Sequence, residues 1–154
     1  LLKWYQQLVA ESLGKKGHGI LPIISTMPKD NHSLMQLYLD GQKNNFYTFF
    51  SVKGDSPKKI NSRNIPNELR YLKKKNLSNI LTSQIIATQK VFKKKDIPFR
   101  GFSIRNRSEE TLGELFSFFI IETILIAKAL KINPYNQPAV ELIKKETKKI
   151  LTKT

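Results

Sequence analysis

Cysteine is absent from all 154 residues, and histidine occurs only as His18 and His32. Without cysteine there can be no disulfide framework, no thiol nucleophile and no Cys-based zinc site, which favours a reducing compartment. Two histidines are too few to cage a metal. No P-loop, no Gly-x-Gly-x-x-Gly, no Gly-x-Ser-x-Gly and no internal repeat is present, so nucleotide binding and serine-hydrolase chemistry lack a local signature. A long membrane-type apolar run is missing too. The run Leu115–Ile126 is interrupted by Glu122 and flanked by Glu114 and Lys128, well short of the roughly twenty apolar residues a bilayer needs. It predicts a buried helix inside a layered protein. No charged region followed by a short apolar stretch opens the chain as a signal peptide would. The sequence starts inside a helical pattern and without Met, so a segment of a longer, cytoplasmic polypeptide is expected.

Enough chain is present for one ordinary domain with a real core: 40% of residues are hydrophobic and 25% charged, as in soluble globular proteins. Lys and Arg number 27 against 12 acidic residues, a formal charge of +15. Such an excess can attract a phosphate backbone. Its distribution argues against that use. The clusters Lys73-Lys74-Lys75, Lys93-Lys94-Lys95 and Lys144, Lys145, Lys148, Lys149 are scattered and nearly all lysine, with few arginines to read base edges. Solvated helix ends account for them equally well.

Periodicity divides the chain into alternating helical and extended stretches. Leu1, Trp4, Tyr5 and Leu8 have helical spacing, and Gly14 ends that helix. Ile20 to Ser25 and Asn45 to Val52 predict buried strands. Between them Asn31 to Asp40 predicts a short helix closed by Gly41, which implies a right-handed crossover, and Lys53 to Pro66 predicts a surface loop. A helix from Leu77 to Phe92, a third strand from Pro98 to Ile104, and a long helix from Ser108 to about Leu130 follow. Pro138 suits a first helical position, which makes Gln137 the cap of a last helix. The sum is α/β, a three-layer α/β/α domain with a mostly parallel sheet.

Three places on this framework carry chemistry. Gln137 and Lys144 lie seven residues apart, two helical turns, and so share a face. They can reach a polar ligand or simply line a solvated face. Glu11 falls on the Trp4 and Leu8 face near the negative end of its helix, where apolar neighbours and the helix dipole would disfavour ionisation, as suits a general base; the alternative is a boundary glutamate turned to solvent. His32 is expected where strand gives way to helix, a common ligand position in open sheets. There the positive helix end would keep the imidazole neutral, able to accept a proton on one nitrogen and donate from the other. A plain surface histidine is the alternative.

In order along the chain, these segments resemble the C-terminal portion of glucose-6-phosphate isomerase, also called phosphoglucose isomerase. Gln7-Leu8-Val9-Ala10-Glu11-Ser12-Leu13-Gly14-Lys15 resembles the segment bearing the family's catalytic glutamate. Gly19 to Pro22, then His32-Ser33 and Gln36-Leu37-Tyr38-Leu39-Asp40-Gly41, resembles its histidine region. Tyr135-Asn136-Gln137 with Val140-Glu141 and Lys144 resembles its C-terminal signature, and Thr111-Leu112-Gly113 links them at the expected place. Ala139 stands where the family usually has Gly, and Asn31 where Gln is common.

What the resemblance implies is a sugar-isomerase (SIS-like) domain over 1–154, with an α/β core at 1–132 and an active-site helix at 133–154. Glu11 would be the base that moves a proton between C2 and C1 of an open-chain sugar through a cis-enediol. His32 would assist ring opening, Lys144 would serve near the ring oxygen and hydroxyls, and Gln137 would line the substrate pocket. The implied reaction interconverts glucose 6-phosphate and fructose 6-phosphate with no metal or redox cofactor, in glycolysis and gluconeogenesis. The implied partners are the phosphorylated hexose, the N-terminal half of the same enzyme, and a second copy in a homodimer that receives His32 across its interface; neither membrane nor nucleic acid is expected. No segment here resembles the family's Ser/Thr-rich phosphate loop or its enediol-stabilising arginine, so these residues alone make an incomplete active site. The competing readings are a non-catalytic sugar-phosphate-binding SIS-like domain and a basic RNA-associated module.

Overall fold

Seven regular elements form from these patterns in the computed structural model, which describes residues 1–54, 59–60 and 65–152. They are α1 (Leu2–Leu13), α2 (Met35–Asp40), β1 (Tyr47–Val52), α3 (Leu77–Lys94), β2 (Phe99–Ile104), α4 (Glu109–Ala129) and α5 (Pro138–Leu151), with 3-10 turns at Lys29–Asn31 and Asn67–Leu72. The chain divides into two compact units: Leu1–Ile24 with Leu112–Thr154, and Ser25–Thr111.

In the unit Ser25–Thr111, β1 and β2 pair in parallel, Tyr47 opposite Phe99 through Val52 opposite Ile104. Parallel neighbours need a crossover, and α3 lies on it. Asn76 starts α3 with a capping box: its side chain accepts the Asn79 amide at 2.7 Å while Asn79 Oδ1 faces the Asn76 amide at 3.4 Å, satisfying two donors the first turn would otherwise leave open. At the other end Asp96 turns left-handed (φ 54°), and Ile97 N donates back to Phe92 O at 3.0 Å, a closed C-terminal turn that returns the chain into β2. Phe92, 1% exposed, is the centre of this unit, with Tyr47, Phe49 and Phe99 edge-on at 5.0, 5.2 and 6.1 Å.

The first expected strand does not form. Ile20 to Ser25 is irregular, and Ile20, Leu21 and Ile23 are 65%, 67% and 75% exposed. Pro22 has no amide proton for a ladder, and its carbonyl instead accepts Gln6 Nε2 at 2.5 Å. The crossover expected between that strand and β1 is therefore absent, and among the described residues the sheet has two strands, β1 and β2. Most of the expected loop from Lys53 to Pro66 lies outside the described residues.

In the other unit, α1 and α4 pack through Val9, Leu13, Ala127 and Ile132, with Tyr5 and Leu130 against them. Trp4 meets Phe116 edge-on at 4.5 Å and Tyr5 meets Phe119 at 4.3 Å. The long apolar run is not buried all round as expected. Only Phe119, Thr123 and Ala127, spaced four apart on one face of α4, are buried, while Ile121 and Leu125 are more than half exposed. Among the described residues no helix is long and apolar enough to cross a membrane.

Candidate active site

Glu11 lies in the last turn of α1 and Gln137 caps α5, 126 residues later, yet Gln137 Nε2 donates to Glu11 Oε2 at 2.8 Å. One turn earlier on α1, Gln7 Nε2 donates to the other carboxylate oxygen at 2.8 Å. Each oxygen therefore receives one amide proton and keeps a second lone pair for a ligand. The carboxylate is exposed, as in the alternative of a boundary glutamate, yet it stands beside aliphatic side chains.

A cavity of about 280 Å³ opens beside this pair, lined among others by Leu8, Glu11, Ser12, Ile124, Tyr135 and Gln137. Its walls thus combine aliphatic surface from α1 and α4 with a carboxylate and an amide. Local chemistry shapes its rim. Asn133 Oδ1 accepts the Tyr135 amide at 2.9 Å, tightening the Asn-Pro-Tyr turn as asparagine side chains do. Pro138 then occupies the first turn of α5, and Gln137, lacking a side-chain bond to its own helix, is left to reach Glu11. Before the turn, Lys15 Nζ donates to the carbonyls of Ser12 (3.0 Å) and Asn133 (2.8 Å). Burial holds the Lys15 ammonium below the usual lysine range, because leaving water disfavours the charged form.

Lys144 is exposed and paired with Glu141 at 2.6 Å, one turn before it on α5, and does not line the cavity. His32 belongs to the unit Ser25–Thr111; it is exposed and follows a 3-10 turn rather than a strand. Its loop is held by Asp30, whose carboxylate accepts the Thr26 amide at 2.6 Å and the Ser33 hydroxyl at 3.0 Å. These bonds, the amide first, hold Asp30 below the ordinary carboxylate range. Ala139 sits in the first turn of α5, exposed and outside the positive-φ residues, so its methyl group meets no backbone objection. Among the described residues no three His, Cys, Asp or Glu side chains converge as metal ligands.

Sequence reasoning passed over two residues that the structure adds to this place. Gln7 was readable as the i−4 neighbour of Glu11 on one helix face. Lys15 was not, because its partner is a carbonyl 118 residues away.

A probable glucose-6-phosphate isomerase of Methanococcus maripaludis is 37% identical over 97% of the chain. Glucose-6-phosphate isomerases of Methanocaldococcus jannaschii and Mycoplasmopsis pulmonis are 37% and 39% identical over 92% and 99% of it. This chain is a relative of the glucose-6-phosphate isomerases. It spans about a third of their length, 33%, 35% and 36% in these three. No family model matches it. A crystal structure of a hypothetical protein from Thermus thermophilus shares the fold over 97% of the chain and 38% of its own, with a TM-score of 0.82 and 24% identity.

Proposed function

We propose that this chain is the C-terminal part of a glucose-6-phosphate isomerase, converting an aldose phosphate to its ketose isomer. The observation that carries the reading is the Glu11–Gln137 hydrogen bond at the mouth of a cavity, joining two segments that separately resemble the family and that its relatives match as one alignment. Glu11 takes the proton from C2 of open-chain glucose 6-phosphate, the electron pair forms the C1–C2 double bond and O1 takes up a proton to give the cis-enediol; Glu11 then returns its proton to C1 while the O2 hydroxyl gives up its own, forming the C2 carbonyl of fructose 6-phosphate. The amides of Gln7 and Gln137 fix the base without consuming its second lone pairs, the positioning that proton abstraction from carbon requires. His32 opens the sugar ring, Lys144 serves at the ring oxygen and hydroxyls, and Gln137 contacts substrate.

The remaining two thirds of the polypeptide supply the phosphate site and further strands beside β1 and β2, completing a three-layer SIS-like domain in which 133–154 is the active-site helix and 1–132 the α/β core. The enzyme acts in the cytoplasm as a homodimer, His32 reaching the partner's site, without metal or redox cofactor. In the full-length enzyme Glu11→Gln is expected to lower kcat by about a thousandfold or more while KM stays near its original value, measured by coupled assay of fructose 6-phosphate release. Near-normal turnover would reject Glu11 as the base. Substrate binding without any turnover in the unmutated enzyme would favour a binding domain instead.

A further inference from the structure

We propose that Lys15 is a positioning residue for the catalytic pair, acting through the Asn133–Gln137 turn; the proposal rests on the isomerase reading above. Lys15 follows directly on the end of α1, where Gly14 lets the chain turn: a Cβ there would stand 2.6 Å from the Ala10 carbonyl. From that place its ammonium donates both to Ser12 O, in the last turn of α1, and to Asn133 O, the first residue after Ile132 in the α4 core. Asn133 in turn holds the Tyr135 amide, and two residues later Gln137 returns to Glu11.

The bonds close a ring of contacts. Glu11 and Ser12 are neighbours on α1, Lys15 ties Ser12 to Asn133, the Asx turn ties Asn133 to Tyr135, and Gln137 ties back to Glu11. Removing Lys15 opens this ring where the end of α1 is bonded to the start of the turn. A single ammonium suits the task because it offers three donors to two carbonyls, and charged donors make stronger bonds than neutral ones. Lys15 is half-buried, and away from water such bonds weaken least. A helix-capping lysine alone needs the Ser12 carbonyl and not Asn133.

The test is a mutant cycle in the full-length enzyme. Lys15→Met is expected to lower kcat about tenfold to a hundredfold, the loss that roughly 1 Å of misplacement produces, with KM changed by less than about threefold. Lys15→Arg, which keeps both donors, should restore kcat to within about threefold of the original. Because Lys15 acts through Gln137, adding Lys15→Met to Gln137→Ala should cost little beyond the slower single variant. Unchanged kcat in Lys15→Met, or losses that simply multiply in the double variant, overturn the proposal. Should Lys15→Met fail to fold, Lys15→Gln takes its place in the same cycle, and the same outcomes support or overturn the proposal. An unmutated enzyme without isomerase activity overturns the isomerase reading and this proposal with it; an active one with an indifferent Lys15 overturns this proposal alone.

Discussion

Glu11, His32, Gln137 and Lys144 are ordinary surface residues when taken singly, and the structure treats them differently. Gln137 and Glu11 bond directly; Lys144 is turned to Glu141; His32 depends on Asp30 for the shape of its loop. Asp30 sets a pH dependence whose sign can be worked out. Its folded-state pKa lies below the usual value, so its contribution to stability is complete above the unfolded aspartate value of about 3.9 and disappears as pH falls through the folded value. Asp30→Asn is therefore expected to lower the melting temperature at pH 7, with the gap from the unmutated protein narrowing once the buffer is taken below that value. Thermal melts at several pH values check it, and a gap that stays constant into acid would exclude the carboxylate charge as the cause. At this scale the sequence showed which side chains have useful chemistry, since residue type is enough for that. It did not show which are held together, because a hydrogen bond across 126 residues leaves no local trace.

Element by element, periodicity served well wherever a segment is stabilised by its own pattern. α1, α3, β1, β2, α4 and α5 all stand close to their expected positions, and Gln137 with Pro138 begins α5 as expected. Ile20 to Ser25 failed because β-branched residues make a strand only beside another strand, and Pro22 removes a donor from any such ladder. Helix ends show the same division. After α4, Lys131 takes a left-handed conformation (φ 55°) and Ile132 N donates to Ala127 O at 3.0 Å, a terminal turn that usually employs glycine. Left-handed backbone costs a non-glycine residue about 1–2 kcal/mol. Lys131→Gly should accordingly raise the melting temperature by about 2–8 °C, measured by calorimetry. A fall would mean that the lysine side chain contributes more than the backbone gains.

On the scale of the whole molecule, a formal charge of +15 and wide exposed apolar stretches on α4 and α5 accompany a chain that spans about a third of its relatives. If His32 serves the partner's site, two inactive variants should rescue each other. Mixed dimers of Glu11→Gln and His32→Ala would each hold one intact site, so random exchange of subunits should yield about a quarter of the original activity; no recovery above the unmixed variants would place both groups in one subunit's site. What the sequence determined by itself was local: the helices, the two strands, the cap at Gln137 and the kinds of chemistry available, all fixed by spacing and residue type over a few turns. Tertiary structure alone decided which of those pieces meet. Lys15 finds Asn133, and Gln137 finds Glu11, only because α1 and α4 bury Val9, Leu13, Ala127 and Ile132 together, and apolar packing between remote segments brings polar groups within bonding distance in a way no window along the chain can reveal.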